Sequence, residues 1–279
     1  MSESRPARVF PTAQVTALAD RILIELEAGS GRAPWLVGLS GLPGSGKSTM
    51  AQALARVYRQ RGIDTLVLGL DDFYLGKRER RRLAREVHPL FLTRGPAGTH
   101  DSSRLAAILA AIQSPSRFRP LQLPRFDRLR DTRLPPSRWR TLGRRPQLVI
   151  LEGWLVGVPA QDAKALRVPC NELERVEDAD QRWRSAVNSA LAGPYAALWN
   201  RLDLLIALLP PDLETMRRWR REAERGMAQH RRGTQPMSEA ALTRFLQHFE
   251  RWAAHALAVL PKRADIVLRL DAEHRIAAS

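Results

Sequence analysis

From Leu36 to Thr49 the chain reads Leu-Val-Gly-Leu-Ser-Gly-Leu-Pro-Gly-Ser-Gly-Lys-Ser-Thr, a stretch that restricts the fold more than any other. Trp35 to Ser40 is a short apolar run suited to a buried strand, and helical spacing begins at Lys47. Between them Gly41, Gly46, Lys47 and Ser48 fill the pattern G-x-x-x-x-G-K-[ST]. Gly41, Gly44 and Gly46 lack a Cβ, so the backbone can take positive φ and turn its N–H groups onto phosphate oxygens. The helix that follows adds about half a unit of positive charge at its N-terminus. Lys47 can reach β- and γ-phosphates, and the Ser48 hydroxyl can ligate Mg²⁺. The expected nucleotide contacts are therefore Gly41, Gly44, Ser45, Gly46, Lys47, Ser48 and Thr49.

At 279 residues the chain can bury a sizeable core, and we read residues 1–279 as a single domain. Cys170 is the only cysteine, which excludes a disulfide framework or cysteine-based metal cluster and fits a reducing compartment. The start, Met-Ser-Glu-Ser-Arg-Pro, lacks the apolar core of a signal peptide, and the apolar runs, Leu204 to Leu209 among them, are too short to span a bilayer. The expectation is a cytoplasmic protein without a membrane partner, either a monomer or a homodimer. Formal net charge is +16, which raises nucleic acid as a partner. Lysine, however, occurs only at 47, 77, 164 and 262, and arginine is spread along the whole chain. That is a broad arginine bias rather than a localised footprint, and no aromatic-basic RNA platform accompanies it. The one dense run, Lys77 to Arg85, reads as a solvated helix or loop face, with an anion-binding or polynucleotide surface as the alternative.

In chain order, Thr12 to Ala28 sets Val15, Leu18, Ile22 and Leu26 on one helical face, a packing helix before the first strand. Ser48 to Arg61 continues the helix after the glycine loop, and Thr65 to Leu70 is a second strand that delivers Asp71 and Asp72 at its carboxyl end. Phe73 to Thr99 reads as loop-rich, Ser102 to Gln113 as a helix, and Pro120 to Pro136, with four prolines, as non-helical. Gln147 to Leu151 is a strand ending in Glu152-Gly153-Trp154. A helix around Gln181 to Asn200 leads to strand Leu202 to Leu209. An arginine-crowded helix from Pro211 to Gly226, an amphipathic helix from Ser238 to Leu257 and a strand from Asp265 to Leu270 close the chain. Strands alternating with helices imply an α/β fold with a mostly parallel central sheet covered on both faces.

Phosphoryl transfer needs a phosphate cradle, a metal, a group to receive the nucleophile's proton and positive charge for the migrating group. Asp71, at a strand tip, is the carboxylate best placed to deprotonate an attacking hydroxyl. Asp72 projects differently and can hold a metal-bound water or a loop. Glu152 follows an apolar strand beside the cradle, where it can hold Mg²⁺ through water. Arg217, Arg218, Arg220, Arg221 and Arg225 wrap the helix from Pro211 to Gly226, which can fold over bound ATP as a lid. The alternative is a solvent-exposed helix salt-bridged by Glu214, Glu222 and Glu224.

The combination of Gly-Leu-Pro-Gly-Ser-Gly-Lys-Ser-Thr, Leu-Asp-Asp-Phe-Tyr-Leu at 70–75 and Leu-Glu-Gly-Trp at 151–154 resembles the P-loop kinases related to uridine kinase, pantothenate kinase and phosphoribulokinase. Within that group the chain is similar to the plant-type D-glycerate 3-kinases and their microbial relatives. The likeness rests on Arg-Gly-Pro-Ala-Gly-Thr-His-Asp at 94–101, Pro-Arg-Phe-Asp at 124–127 and Glu-Gly-Trp-Leu-Val-Gly at 152–157. Val-Asn at 187–188, Leu-Trp at 198–199 and Leu-Asp-Leu-Leu-Ile at 202–206 add to it.

The resemblance implies a P-loop NTPase fold with an arginine-rich lid at 211–226 and an acceptor-binding insertion at 73–136. It implies Lys47 and Ser48 on ATP and Mg²⁺, Asp71 as base, Glu152 on the metal, and Arg218, Arg221 and Arg225 as lid arginines. One residue is missing from the family spacing between Arg221 and Arg225. Asp72, Tyr74, Arg94, His100, Asp101, Arg125, Asp127 and Arg133 are the expected acceptor residues, and Asp131 near the place of a uridine kinase histidine speaks against a uridine acceptor. The expected reaction is ATP-dependent phosphorylation of a small hydroxy acid, D-glycerate first. The alternatives are a kinase of the same fold for a nucleoside, pantothenate or a sugar phosphate, and a nucleic-acid-binding ATPase.

Overall fold

The computed structural model of the protein describes residues 10–29, 33–128, 130–229 and 238–277, with backbone alone over 224–229. In chain order the strands are β1 (Trp35–Gly41), β2 (Thr65–Gly69), β3 (Leu121–Leu123), β4 (Phe126–Asp127), β5 (Thr132–Arg133), β6 (Arg140–Leu142), β7 (Leu148–Gly153), β8 (Leu204–Leu209) and β9 (Ile266–Arg269). The helices are α1 (Thr12–Ala28), α2 (Lys47–Gln60), α3 (Lys77–Glu86), α4 (Ser102–Gln113), α5 (Glu172–Val176), α6 (Arg182–Ala190), α7 (Ala196–Trp199), α8 (Leu213–Gln229) and α9 (Glu239–Arg263).

Five parallel strands form the central sheet in the order β2-β7-β1-β8-β9. Central strands of such a sheet are buried on both faces, which is why β7 and β8 read as unbroken apolar runs. Alternate residues part to opposite sides. Val37, Leu39, Ile150 and Ile206 pack with Val15 and Ile22 of α1 and Met50 and Leu54 of α2. Leu36, Val149, Leu151 and Leu205 pack with α4, α6 and α9, where Trp183 and Trp252 meet edge to face at 5.6 Å.

The helices and strands read from the sequence are present; α5 falls outside that reading, α9 runs past Leu257 to Arg263, and four further differences stand out. The segment read as loop-rich holds α3, whose sequence has almost no apolar stripe. Arg80 anchors it instead, its buried guanidinium donating to the carbonyls of Leu75, Leu92 and Asp131. Second, Glu152 lies inside β7 rather than after it, because its backbone is paired on both sides. Third, the helix expected to Asn200 is interrupted by a π-helical segment at Leu191–Tyr195, where Pro194 has no N–H for the α ladder. Fourth, α8 begins at Leu213, capped by the Asp212 carboxylate accepting from Thr215 N at 2.7 Å, and runs to Gln229. The insertion between β2 and β7 carries two small antiparallel pairs, β3 with β6 and β4 with β5.

Candidate active site

Register brings three chain segments together. Glu152 of β7 stands opposite both Leu39 of β1 and Gly69 of β2. The loop after β1, the turn after β2 and the Glu152 carboxylate therefore meet at the carboxyl edge of the sheet, where open parallel sheets take ligands. In the loop Gly44 and Gly46 both have φ +90. A Cβ on Gly41 would fall 2.6 Å from Ser45 Oγ, so the loop closes this tightly only around glycine. Ser45 Oγ is buried and has no hydrogen-bond partner among the described residues. Ser48 Oγ donates to Glu152 Oε1 at 2.7 Å. A hydroxyl beside a carboxylate is a hard-oxygen pair that fits Mg²⁺, and the cradle fits a polyphosphate.

β2 runs into a 3₁₀ turn, Leu70–Phe73, that sends its two aspartates different ways. Asp71 Oδ1 is buried without a hydrogen-bond partner among the described residues, and Oδ2 lies 3.3 Å from Arg128 Nη2. Burial pushes the Asp71 pKa up, but Arg128, then Lys47, and a hydrogen bond from Tyr74 outweigh it and hold the carboxyl below its ordinary value. For Glu152 the balance is reversed: burial raises its pKa, and Lys47 and Ser48 only partly offset that while Asp71 adds repulsion. Two neighbouring carboxylates pushed apart in this way can divide the work, one as an ionised base and one as a metal ligand.

Asp72 holds the insertion, its Oδ1 accepting from Phe126 N at 3.3 Å. Tyr74 stacks on His100 at 4.4 Å, and its carbonyl accepts from Arg133 Nε at 3.2 Å. Arg133 Nη2 is 3.3 Å from Asp101 Oδ2, while Asp101 Oδ1 caps α4 through Arg104 N at 3.1 Å. These side chains thus gather around Tyr74 and Asp71. Arg94 donates to Asp131 Oδ1 at 2.6 Å and to the Arg128 carbonyl at 3.3 Å, so its contacts secure the segment that carries Arg128. Asp127 Oδ1 accepts from Arg130 N at 3.0 Å, and Arg125 stands exposed beside a cavity of about 90 Å³ that Asp72 and Arg140 also line.

Helix α8 docks on the glycine loop through Trp219, which is fully buried. The Trp219 indole stacks on His274 at 3.7 Å and donates to the Ala272 carbonyl at 3.1 Å, while His274 Nε2 is 3.1 Å from the Gly44 carbonyl. Arg218 donates to Ala272 O at 2.7 Å and lies 4.0 Å from Glu222, and Arg221 is 3.4 Å from Glu214. The Arg225 side chain lies outside the described residues. Three residues of this site escaped the sequence reading. Arg128 is one arginine among many, and Tyr195, whose hydroxyl stands 2.6 Å from His100 Nδ1, carries no motif. Trp219 did leave a signal, an apolar i, i+3 pair with Met216 inside the arginine run.

A family model described as methylmalonyl Co-A mutase-associated GTPase MeaB matches residues 10–73, the stretch that holds α1, the glycine loop and the Asp71 turn. Over 248 residues the chain is 30% identical to the uncharacterized kinase mug58 of Schizosaccharomyces pombe, covering 83% of this chain and 85% of that one. The chain is a P-loop kinase of the glycerate 3-kinase/uridine kinase family. It is also 25% identical over 224 residues to the chloroplastic D-glycerate 3-kinase of Arabidopsis thaliana, covering 77% of this kinase but only 46% of the plant protein. The solved D-glycerate 3-kinase of Cryptococcus neoformans var. grubii has the same fold, with a TM-score of 0.76, 22% identity and coverage of 95% of this kinase and 98% of that chain. Among the described residues no helix is long and apolar enough to cross a membrane.

Proposed function

We propose that this kinase transfers the γ-phosphoryl group of ATP to a hydroxyl of a small hydroxy acid, with D-glycerate to 3-phosphoglycerate as the reaction. The reading further takes residues 1–279 as one cytoplasmic kinase domain, 73–136 as the acceptor insertion and 211–226 as the lid. The observation that carries it is Asp71, whose buried Oδ1 has no partner among the described residues and whose charge is maintained by Arg128 and Lys47. An ionised, unpartnered carboxylate oxygen beside the phosphate cradle can accept a hydroxyl proton as that oxygen attacks. Ser48 and Glu152 would hold Mg²⁺, which when bound neutralises phosphate charge. Lys47 and the loop N–H groups orient the phosphates, and closure by α8 excludes water from them. The names of the Arabidopsis and Cryptococcus relatives support glycerate as acceptor, and the basic surroundings of the Asp71 turn suit a carboxylate. The test is ADP release with Mg-ATP over a panel of D-glycerate, other small hydroxy acids, nucleosides, pantothenate and sugar phosphates. Turnover with D-glycerate well above the rest is expected, and preference for a nucleoside, pantothenate or a sugar phosphate would overturn the assignment.

A further inference from the structure

The chemistry of His100 is set from behind. Tyr195 sits in the π-helical segment, where its hydroxyl oxygen accepts the Gly98 N–H at 3.1 Å and stands 2.6 Å from His100 Nδ1. Both side chains are buried. With that oxygen already accepting, the phenolic proton needs an acceptor of its own, and a buried hydroxyl proton left unpaired is costly. Nδ1 is the acceptor in reach. The proton of the neutral imidazole then stands on Nε2, and burial favours the neutral form further by pushing the His100 pKa down to about 4.

His100 Nε2 is buried and has no hydrogen-bond partner among the described residues. It belongs to the wall that holds Asp71. His100 and Tyr74 pair through their backbones and stack at 4.4 Å, Tyr74 hydrogen bonds to Asp71, and the Asp71 charge is felt at His100. The wall therefore carries an orphaned acceptor, Asp71 Oδ1, and an orphaned donor, the Nε2–H of His100. An α-hydroxy acid presents the complement: a hydroxyl proton for the first and a further oxygen for the second.

We propose that His100, fixed by Tyr195 as its Nε2–H form, donates a hydrogen bond to a non-reacting oxygen of the acceptor, the carboxylate or the other hydroxyl, while Asp71 receives the reacting hydroxyl. The proposal rests on the hydroxy-acid reading above. A neutral donor suits this place because an imidazolium would pair with Asp71 and weaken it as a base. Tyr195 is a positioning residue, acting only through the tautomer it imposes.

The experiment has two arms. Two-bond ¹H–¹⁵N spectra of the wild-type kinase, with the His100 signals identified among six histidines by their loss in His100→Phe, read the tautomer directly. The Nε2–H form is expected in the wild type, and Tyr195→Phe should shift it; an Nδ1–H form overturns the proposal whatever the substrate. In the second arm, with D-glycerate and Mg-ATP, His100→Phe and Tyr195→Phe should each raise the KM for D-glycerate about tenfold, as loss of one buried hydrogen bond does, with the KM for ATP unchanged and His100→Gln restoring part of the loss. An unchanged KM for D-glycerate overturns the proposal while the substrate assignment stands. A wild-type kinase inactive on D-glycerate overturns the substrate assignment and, with it, the stated role of Nε2–H, while the spectra still report on the tautomer.

Discussion

Trp219 lies so close over Gly44 that a Cβ on the glycine would come 2.8 Å from the Cβ of the tryptophan. Gly44 also has φ +90, where L side chains are strained. Gly44→Ala must therefore either distort the loop or lift α8 from it. The expected result is a rise of about tenfold or more in the KM for ATP and a loss of roughly 1–3 kcal/mol in stability, read by kinetics and thermal melting. Trp219→Ala should cost about 3–5 kcal/mol. If both variants bind ATP normally, α8 does not support the loop.

Lys47→Ala and Asp71→Asn should each lower kcat by about two orders of magnitude or more, as removing an interaction worth roughly 3 kcal/mol at the transition state does. Far-ultraviolet circular dichroism should show the fold retained. Near-normal turnover in Asp71→Asn would exclude Asp71 as the base.

Arg128 supplies the largest force holding the Asp71 carboxyl ionised, so its removal has a definite sign. In Arg128→Ala burial is less opposed, the Asp71 pKa rises, and the acid limb of kcat/KM moves to higher pH. Arg128→Lys should retain much of the wild-type profile. Linkage gives the same direction for stability. A carboxyl whose folded pKa is depressed stabilises the protein above its unfolded pKa, and that contribution is lost as pH falls through the folded value. The Asp71 contribution should be smaller in Arg128→Ala, and pH-dependent melting measures it.

Glu152→Gln keeps the size of the side chain but removes the charge from the pair it makes with Ser48. The Mg²⁺ concentration for half-maximal activity should rise about tenfold or more, with partial recovery of turnover at high Mg²⁺. An unchanged Mg²⁺ requirement would remove Glu152 from the metal site.

The cradle and the Asp71 turn were legible in the sequence because local chemistry fixes them. Glycines at set spacing, a strand before and a helix after admit few alternatives. Glu152 was placed one element too late, since a charged residue reads as a strand end and only pairing on both sides shows that the strand continues. Helix α3 was hidden for a different reason. Its hold on the fold is the hydrogen bonding of one buried arginine, which leaves no hydrophobic period. The available start signal was Glu79 three residues after Gly76, whose N–H its carboxylate accepts at 2.6 Å. Arg128 and Tyr195 act through partners far away in the chain, and no local pattern distinguishes either.

Asp131 joins stability to the proposed acceptor site. Its carboxylate accepts from Arg80 and from Arg94, each at 2.6 Å, and its backbone has φ +53. The Arg80 side chain is 3% exposed and that of Asp131 31%, so removing the carboxylate leaves a buried cation with neutral carbonyl partners. Breaking a fully buried pair costs about 3–5 kcal/mol, and the partial solvent exposure of Asp131 reduces this to about 2 kcal/mol for Asp131→Asn. Asn tolerates positive φ, whereas Asp131→Leu adds backbone strain and should be less stable still. Because Arg94 also holds the Arg128 carbonyl, loosening Asp131 frees the segment that presents Arg128 to Asp71. Asp131→Asn should therefore lower kcat and raise the KM of the acceptor with the KM for ATP unchanged, and it should shift the acid limb in the same direction as Arg128→Ala. A melting temperature that falls without any change in that limb would confine Asp131 to stability alone.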